Sequence, residues 1–355
     1  MASAATAARF IAGIFDIIFP FYPGSGYAAE AMDTQEPDIR RIPRGQAGER
    51  LDRALANLFP EYSRTRLQEW LKAGHLQVDG MSPAPRTPVL GGESVVLDAG
   101  IAETVDPTLD ATAEPVDFDI VHEDDAILVV NKPAGLVVHP AAGHRCGTLQ
   151  NGLLHHDPAL GAVPRAGIVH RLDKDTTGLM VVARTLAAHN RLVAQLHERA
   201  IVREYRAIVT GVPVAGNTID APIGRHPRDR QRQAVVKSGG KPAVTHFRVE
   251  RKFRAHAFLR LRLESGRTHQ IRVHMQHAGL PLVGDPMYGG RPQFPRSPAP
   301  ALRRALESFR RQALHAARLE LAHPERGDWC SWEAPLPDDM QALLDGLEAD
   351  LDAHV

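Results

Sequence analysis

The chain has 355 residues with 42 Lys and Arg against 42 Asp and Glu, so its formal net charge is zero at pH 7. That length accommodates two or three domains with a sizeable core, and 43% hydrophobic content excludes a wholly disordered chain. Two cysteines in no CxxC pattern exclude a disulfide scaffold or a thiolate zinc site and fit a reducing cytoplasm, and the 18 histidines show no metal-binding spacing.

A zero net charge would exclude a protein held on nucleic acid by bulk charge if the charges were mixed, but they are segregated. Residues 225 to 272 carry 14 basic residues against three acids, and residues 40 to 72 carry eight against four. Residues 98 to 125 hold ten acids and residues 333 to 355 hold seven, with no Lys or Arg in either block. The acidic blocks read as a linker and a tail that repel RNA.

In chain order, Arg9, the apolar stretch Phe10 to Tyr22 and Ala29-Glu30-Ala31 sketch a secretory signal, but Asp16 and Pro20 interrupt it. The stretch is also too short and broken to span a bilayer as a helix. Residues 1–46 are therefore expected to be an extension, translated from an upstream start or loosely ordered. Residues 47–98 read as a compact unit. Leu51, Ala54, Leu55 and Leu58 recur at helical spacing. Ser63 is a candidate N-cap for a second helix, Arg64 to Ala73, stopped by Gly74. Short strands follow at His75 to Val78 and Ser94 to Leu97, the first closed by an Asp79-Gly80 turn. Arg50, Arg64, Arg66 and Lys72 make its helical part basic.

Residues 99–117 are acidic, carry Pro107 and Pro115, and read as a linker. From 118 to 337, strand-like runs alternate with turn signals. Leu259, Leu261 and Leu263 alternate with Arg260, Arg262 and Glu264, as in a half-buried strand. Helices are expected over Ala187 to Arg199 and Thr268 to Ala278. The sum is an α+β domain with mainly antiparallel strands, followed at 338–355 by an acidic surface helix.

Chemistry concentrates in Ile168-Val169-His170-Arg171-Leu172-Asp173-Lys174-Asp175-Thr176-Thr177-Gly178-Leu179. Apolar runs lead into and out of a charged loop, which sets side chains at a cleft edge. Arg171 and Lys174 flank Asp173 and favour its ionised form, which suits a nucleophile or base. Spacing alone leaves open a surface loop of turn-forming aspartates. An Asp173/Asp175 pair as a glycosidase dyad or magnesium site is the weaker reading, because a mobile i, i+2 pair beside two cations is a poor cage.

These motifs resemble known families. Residues 47–98 resemble the S4 RNA-binding domain, which implies that Arg50, Arg64, Arg66 and Lys72 face RNA phosphates. The run His170 to Gly178 resembles the signature of the RluA-type pseudouridine synthases, in which Asp173 matches the catalytic aspartate; Thr177 stands where many members have Ser. Three further blocks match in order: Asn131-Lys132-Pro133-Ala134-Gly135 with Val138-His139-Pro140; Arg203-Glu204-Tyr205-Arg206-Ala207; and Gly266 to His274, followed by Gly284-Asp285-Pro286. The resemblance implies a pseudouridine synthase fold, built on a mixed, mainly antiparallel sheet with flanking helices. It also implies a reaction without redox change or cofactor, and a uridine flipped out of its stack.

On this resemblance Asp173 acts on the sugar or base, by addition to C1′ or C6 or by abstraction of the C2′ proton. Tyr205 stacks on the uracil with its hydroxyl placed for proton transfer, and Arg267 pairs with Asp173. Arg171 either fills the vacated stack or contacts phosphate, and His170, Lys132, Arg225 and Arg228 join it on the RNA. The wording of the blocks points to a subgroup whose substrate is a set of uridines in one stem-loop of 23S rRNA. The expected partner is therefore 23S rRNA or the large ribosomal subunit, with no membrane, no metal, a cytoplasmic location and a monomeric chain. Other 23S or tRNA sites, or a non-catalytic ribosome-assembly factor on the same fold, are the alternatives.

Overall fold

The structure, a computed structural model, describes residues 37–59, 62, 64–98, 112–140, 146–229 and 231–354. The expected export-like stretch, the Ser63 cap, most of the acidic linker and Arg230 lie outside the described residues, as does the side chain of Arg66.

The N-terminal unit consists of β1 (Asp38–Arg41), α1 (Leu51–Leu58), α2 (Arg64–Ala73), β2 (Leu76–Val78) and β3 (Ser94–Leu97). Its three strands are antiparallel in the order β1-β3-β2. The unit starts earlier than residue 47, because β1 pairs with β3 over its whole length and Ile42 is buried in the core. Leu51, Ala54, Leu55 and Phe59 pack there against Leu67, Trp70 and Leu71 and against the sheet residues Leu76, Val95 and Leu97. The Asp79-Gly80 turn has positive φ at both residues, 48° and 74°, the geometry of a tight hairpin turn.

The second unit is built on one mixed sheet. Its strands are β4 (Asp119–Glu123), β5 (Ile127–Lys132), β6 (Thr177–Ala183), β7 (Val202–Thr210), β8 (Asn217–Asp220), β11 (Val244–Lys252), β12 (His256–Leu263), β13 (Leu314–Ala322) and β14 (Trp329–Glu333). A separate ribbon is formed by β9 (Ile223–Arg225) and β10 (Gln233–Val235). The sheet order is β4-β5-β6-β13-β7-β12-β11-β8, with β14 on β13. Every pairing is antiparallel except β6 with β13. The expected α+β class with a mainly antiparallel sheet is what the chain adopts.

Strand β6 is buried at every position, which explains its unbroken apolar sequence Leu179 to Ala183. Strand β5 alternates its load: Leu128 and Val130 join the core on one face, and Ile127 and Val129 the core on the other. Helices α3 (Leu149–His156) and α5 (Gln270–His277) cover the first face, and α4 (Leu186–His197) covers the second. Strand β12 shows the expected period of two, with Leu259 and Leu261 fully buried and Arg260 and Arg262 paired to Glu250 and Glu204.

The C-terminal acidic segment is not a surface tail. It forms α7 (Asp338–Asp352), which buries Met340, Leu343, Leu344 and Leu347 against Leu302 and Leu306 of α6 (Pro300–Ser308). Two of its acids pair with arginines of the preceding chain: Asp350 with Arg254 at 3.1 Å, and Asp339 with Arg311 at 2.6 Å. The second unit therefore runs through residue 352. It begins inside the former linker, where Val116 packs on the core and Glu114 accepts the Gly147 N–H at 2.8 Å.

Candidate active site

The loop 170–176 enters β6 where that strand meets β13 in parallel register, Thr177 opposite His315 and Gly178 opposite Ala316. Gly178 has φ 113°, and a Cβ there would lie 2.2 Å from the Ala316 carbonyl oxygen, so only glycine allows this approach. The loop is tied from several sides. Arg311 Nη1 donates to the Asp175 carbonyl (3.2 Å), Gln312 Nε2 to Thr176 Oγ1 (3.0 Å), and Thr177 Oγ1 lies 2.8 Å from His315 Nδ1. Arg311 is itself held by Asp339 of α7 through Nε and Nη2, both at 2.6 Å, so the C-terminal helix helps to set the loop.

Lys132 completes the anchoring and corrects the expectation that it faces RNA. Its side chain is fully buried at the end of β5, and Nζ donates to the carbonyls of Pro133 (2.7 Å), Leu136 (3.0 Å) and Lys174 (2.8 Å). Three protons meet three acceptors, the full capacity of an ammonium. Burial pushes the lysine down to about 7, with the charges of Asp175 and Asp173 opposing. It clamps the residue next to Asp173 and has no surface left for a phosphate.

Asp173 lines a cavity of about 530 Å³, within the range of small-molecule sites. Its Oδ2 accepts from Arg272 Nη1 at 3.0 Å, and its Oδ1 faces His269 Nε2 at 3.9 Å. The same guanidinium donates Nε and Nη2 to the two oxygens of Asp285 at 2.7 and 2.8 Å. Asp285 is 1% exposed and also accepts the backbone N–H of Met287 and Tyr288, both at 2.9 Å. Arg272 is thus a fork whose position is fixed by a buried carboxylate before it reaches Asp173.

The expected partner of Asp173 was Arg267, and the structure assigns that place to Arg272 instead. Helix α5 starts at Gln270, two residues later than the pattern suggested. The Gln270 carboxamide caps the turn by accepting the Arg267 N–H at 3.0 Å. Arg267 consequently lies outside the helix at the rim of the cavity, exposed, with Nε on the Pro242 carbonyl at 3.2 Å. Arg272, one turn into the chain, faces inward between Ile271 and Val273, both buried. That apolar flanking, and the aspartate in Gly284-Asp285-Pro286, were the available signals.

Tyr205 is where the sequence put it. It sits on β7 opposite Leu261 and Ala316, is 5% exposed, and lines the cavity with Asp173. Burial pushes its phenol up; Arg203 pulls it down and Asp173 pushes it further up. Asp175 does not line this cavity, so the two aspartates do not form a pair across it.

Around the acid the wall is basic. Arg165, Arg171, Arg199, Arg203, Arg267 and Arg272 all line the cavity, with Glu264 as the only other acid there among the described residues. Arg171 is exposed at the mouth, as expected of an RNA contact. Arg165, Arg199 and Arg203 were missed, because single arginines in loops and strand ends carry no pattern. His170 also lines the cavity, but Nε2 accepts the Val181 N–H at 3.1 Å and burial holds the ring neutral, with its pKa down to about 3. It supports β6 and offers phosphate no charge. Arg225 and Arg228 are exposed on the β9–β10 ribbon and its loop, away from the cavity lining.

In the N-terminal unit, Arg50 and Arg64 both pair with Asp52, at 2.8 and 2.6 Å, and Asp52 is 2% exposed. Burial opposes ionisation of Asp52, but hydrogen bonds and charge from Arg50 and Arg64 outweigh it and hold the carboxyl low. Both arginines remain half-exposed, and Lys72 is exposed.

Comparison with known proteins converges on one family. Residues 126–277 match the family model for RNA pseudouridylate synthase. The chain is 55% identical over 314 residues to the ribosomal large subunit pseudouridine synthase D of Pseudomonas aeruginosa, covering 88% of this chain and 97% of that protein. It is 52% identical to the protein of the same name from Escherichia coli, covering 88% and 95% respectively. The solved structure of human RNA pseudouridylate synthase domain containing 4 superposes with a TM-score of 0.51 at 26% identity, over 64% of this chain and 92% of that one. With a relative matched at this identity over nearly its full length, and a cavity that gathers Asp173, Tyr205 and Arg272, the chain belongs to the RNA pseudouridylate synthase family.

Proposed function

We propose that the chain is a pseudouridine synthase that isomerises uridines of 23S rRNA, with Asp173 as the catalytic carboxylate. One observation carries the reading: Asp173 has one oxygen held by Arg272 and the other open to a cavity whose lining includes six arginines. A carboxylate so placed is aimed at a bound nucleotide. Tyr205 supplies the aromatic face for a uracil and a hydroxyl beside Asp173. The rim arginines take the flanking phosphates of a flipped nucleotide, an electrostatic contribution that weakens with salt.

The 23S substrate follows from the two relatives, both named as large-subunit enzymes. The N-terminal unit acts as an S4-like tether for structured RNA, through Lys72 and the exposed edges of Arg50 and Arg64. In this reading the protein works in the cytoplasm, where its ribosomal substrate is, and as a monomer. The test is to map carbodiimide-modified pseudouridines in rRNA and tRNA from a strain lacking the gene. One or more 23S sites disappear and return on complementation. Intact 23S sites with a missing tRNA site would move the substrate, and no change anywhere would refute the activity.

A further inference from the structure

His269 stands at the catalytic carboxylate with no role in the reading above. It is the residue before α5, and its backbone is left-handed at φ 57°. A non-glycine residue in that region is strained, and such strain concentrates at functional sites. The side chain is 18% exposed and lines the cavity.

Its ring has a defined orientation. Nδ1 lies 2.9 Å from the Tyr288 hydroxyl, which also accepts the Gln233 N–H at 2.9 Å. With Gln233 as donor, the phenolic proton can go to His269 Nδ1, the arrangement in which the imidazole hydrogen sits on Nε2. Tyr288 is 3% exposed, and Arg272 and Arg232 lie over its ring at 5.0 and 5.1 Å, so the hydroxyl is held in place. Burial and the charge of Arg272 work to keep the His269 ring neutral against the pull of Asp173. The Nε2–H therefore points at the open oxygen of Asp173 across 3.9 Å, too far for a hydrogen bond between them. Donor and carboxylate face one space.

We propose that His269 is a catalytic residue that donates its Nε2–H to a carbonyl oxygen of the departing uracil. When the C1′–N1 bond breaks, its electron pair leaves with the base, giving a uracil anion whose charge spreads to the carbonyl oxygens. His269 hydrogen-bonds that charge without transferring its proton, and it does so whether Asp173 adds to the sugar or removes a sugar proton. A donor preorganised where charge develops stabilises the transition state more than the ground state.

This inference rests on the pseudouridine synthase reading, and the experiment separates the two. Single-turnover conversion and binding are measured on a 23S rRNA stem-loop fragment. His269→Asn tolerates the left-handed backbone but cannot reach the Nε2 position. It should slow conversion by about 100-fold, the usual effect of removing one such donor, with RNA Kd and Tm near wild type. His269→Gln, whose amide nitrogen reaches that position, should recover about tenfold of the loss, and Tyr288→Phe, which frees the tautomer, should slow conversion by about tenfold. An Asn variant at wild-type rate, a Gln variant no faster than Asn, or a Kd weakened by the same factor as the rate would overturn the assignment. If the Asn variant gives no cooperative melt, a wild-type rate for Tyr288→Phe overturns it. Absence of conversion by the wild-type chain on 23S and tRNA fragments alike would remove the functional reading and this inference with it.

Discussion

Replacing Lys132 with Met separates a structural clamp from an RNA contact. The thioether keeps most of the buried stem but removes the ammonium that joins the carbonyls of Pro133, Leu136 and Lys174. Those acceptors lie in or beside the core, where the residue is 0% exposed, and water does not replace the lost donors easily. Leaving a buried acceptor unpaired costs about 1–3 kcal/mol, and three carbonyls lose their donor. The relief of not burying an ammonium takes back part of this, leaving about 3 kcal/mol. For a domain of this size, with each kcal/mol worth about 2–4 °C, Tm should fall by about 6–12 °C. Conversion should slow as well, because the Lys174 carbonyl is one peptide from Asp173. RNA affinity and its dependence on salt should not change. The assays are a thermal melt, single-turnover conversion and binding across a salt series. An unchanged melt with a salt slope reduced by about one would mean that Lys132 meets a phosphate after all.

Three further outcomes follow from the site. Arg272→Lys keeps a charge but cannot hold Asp285 through two donors while reaching Asp173; single-turnover rate should fall by about 100-fold with RNA affinity within about twofold, and equal losses in both would refute the fork. Arg267→Ala, at the rim, should weaken binding and lower the salt slope by about one while leaving the rate at saturating RNA near wild type; a rate loss without an affinity loss would restore it to the catalytic pairing. Stability should fall on acidification. Burial depresses His139, His256 and His315 to about 4 and His170 to about 3, so between their ordinary value of about 6.5 and those values the unfolded chain binds more protons. The stabilisation is complete above about pH 6.5 and is lost as pH falls toward 4, with a slope of up to about 5 kcal/mol per pH unit for four protons. Denaturant melts near neutrality and near pH 5 that give the same stability would contradict the buried neutral rings.

The strands were readable from their periodicity, and the 170–178 loop and Tyr205 from the motifs that resemble a known family, because both are local properties of the sequence. What escaped depends on contacts between distant segments. Arg267 and Arg272 are five residues apart in one basic motif, and which of them faces Asp173 turns on a two-residue shift of the helix start set by the Gln270 side chain and the left-handed His269. Lys132 looks like a surface cation at the end of a strand; only the return of residue 174 beside it shows three carbonyls converging. Strand β1, with the charged sequence Asp38-Ile39-Arg40-Arg41, has too little apolar pattern to declare itself without β3. The acidic C-terminal helix did carry a signal, Met340, Leu343, Leu344 and Leu347 at helical spacing, which the seven acids of residues 333 to 355 outweighed in the reading. Net neutrality follows the same logic. The basic residues of the cavity rim and of the N-terminal unit are balanced in the total by acids on α7 and the linker.

The most direct measurement of the central claim is single-turnover conversion of a 23S rRNA fragment by Asp173→Asn. The substitution preserves shape and removes the charge held by Arg272. No pseudouridine should form while the RNA Kd stays within about twofold of wild type, because a single carboxylate in a basic cavity contributes nothing favourable to phosphate binding. Pseudouridine formation by the Asn variant at a rate near wild type would contradict the assignment of Asp173 as the catalytic carboxylate.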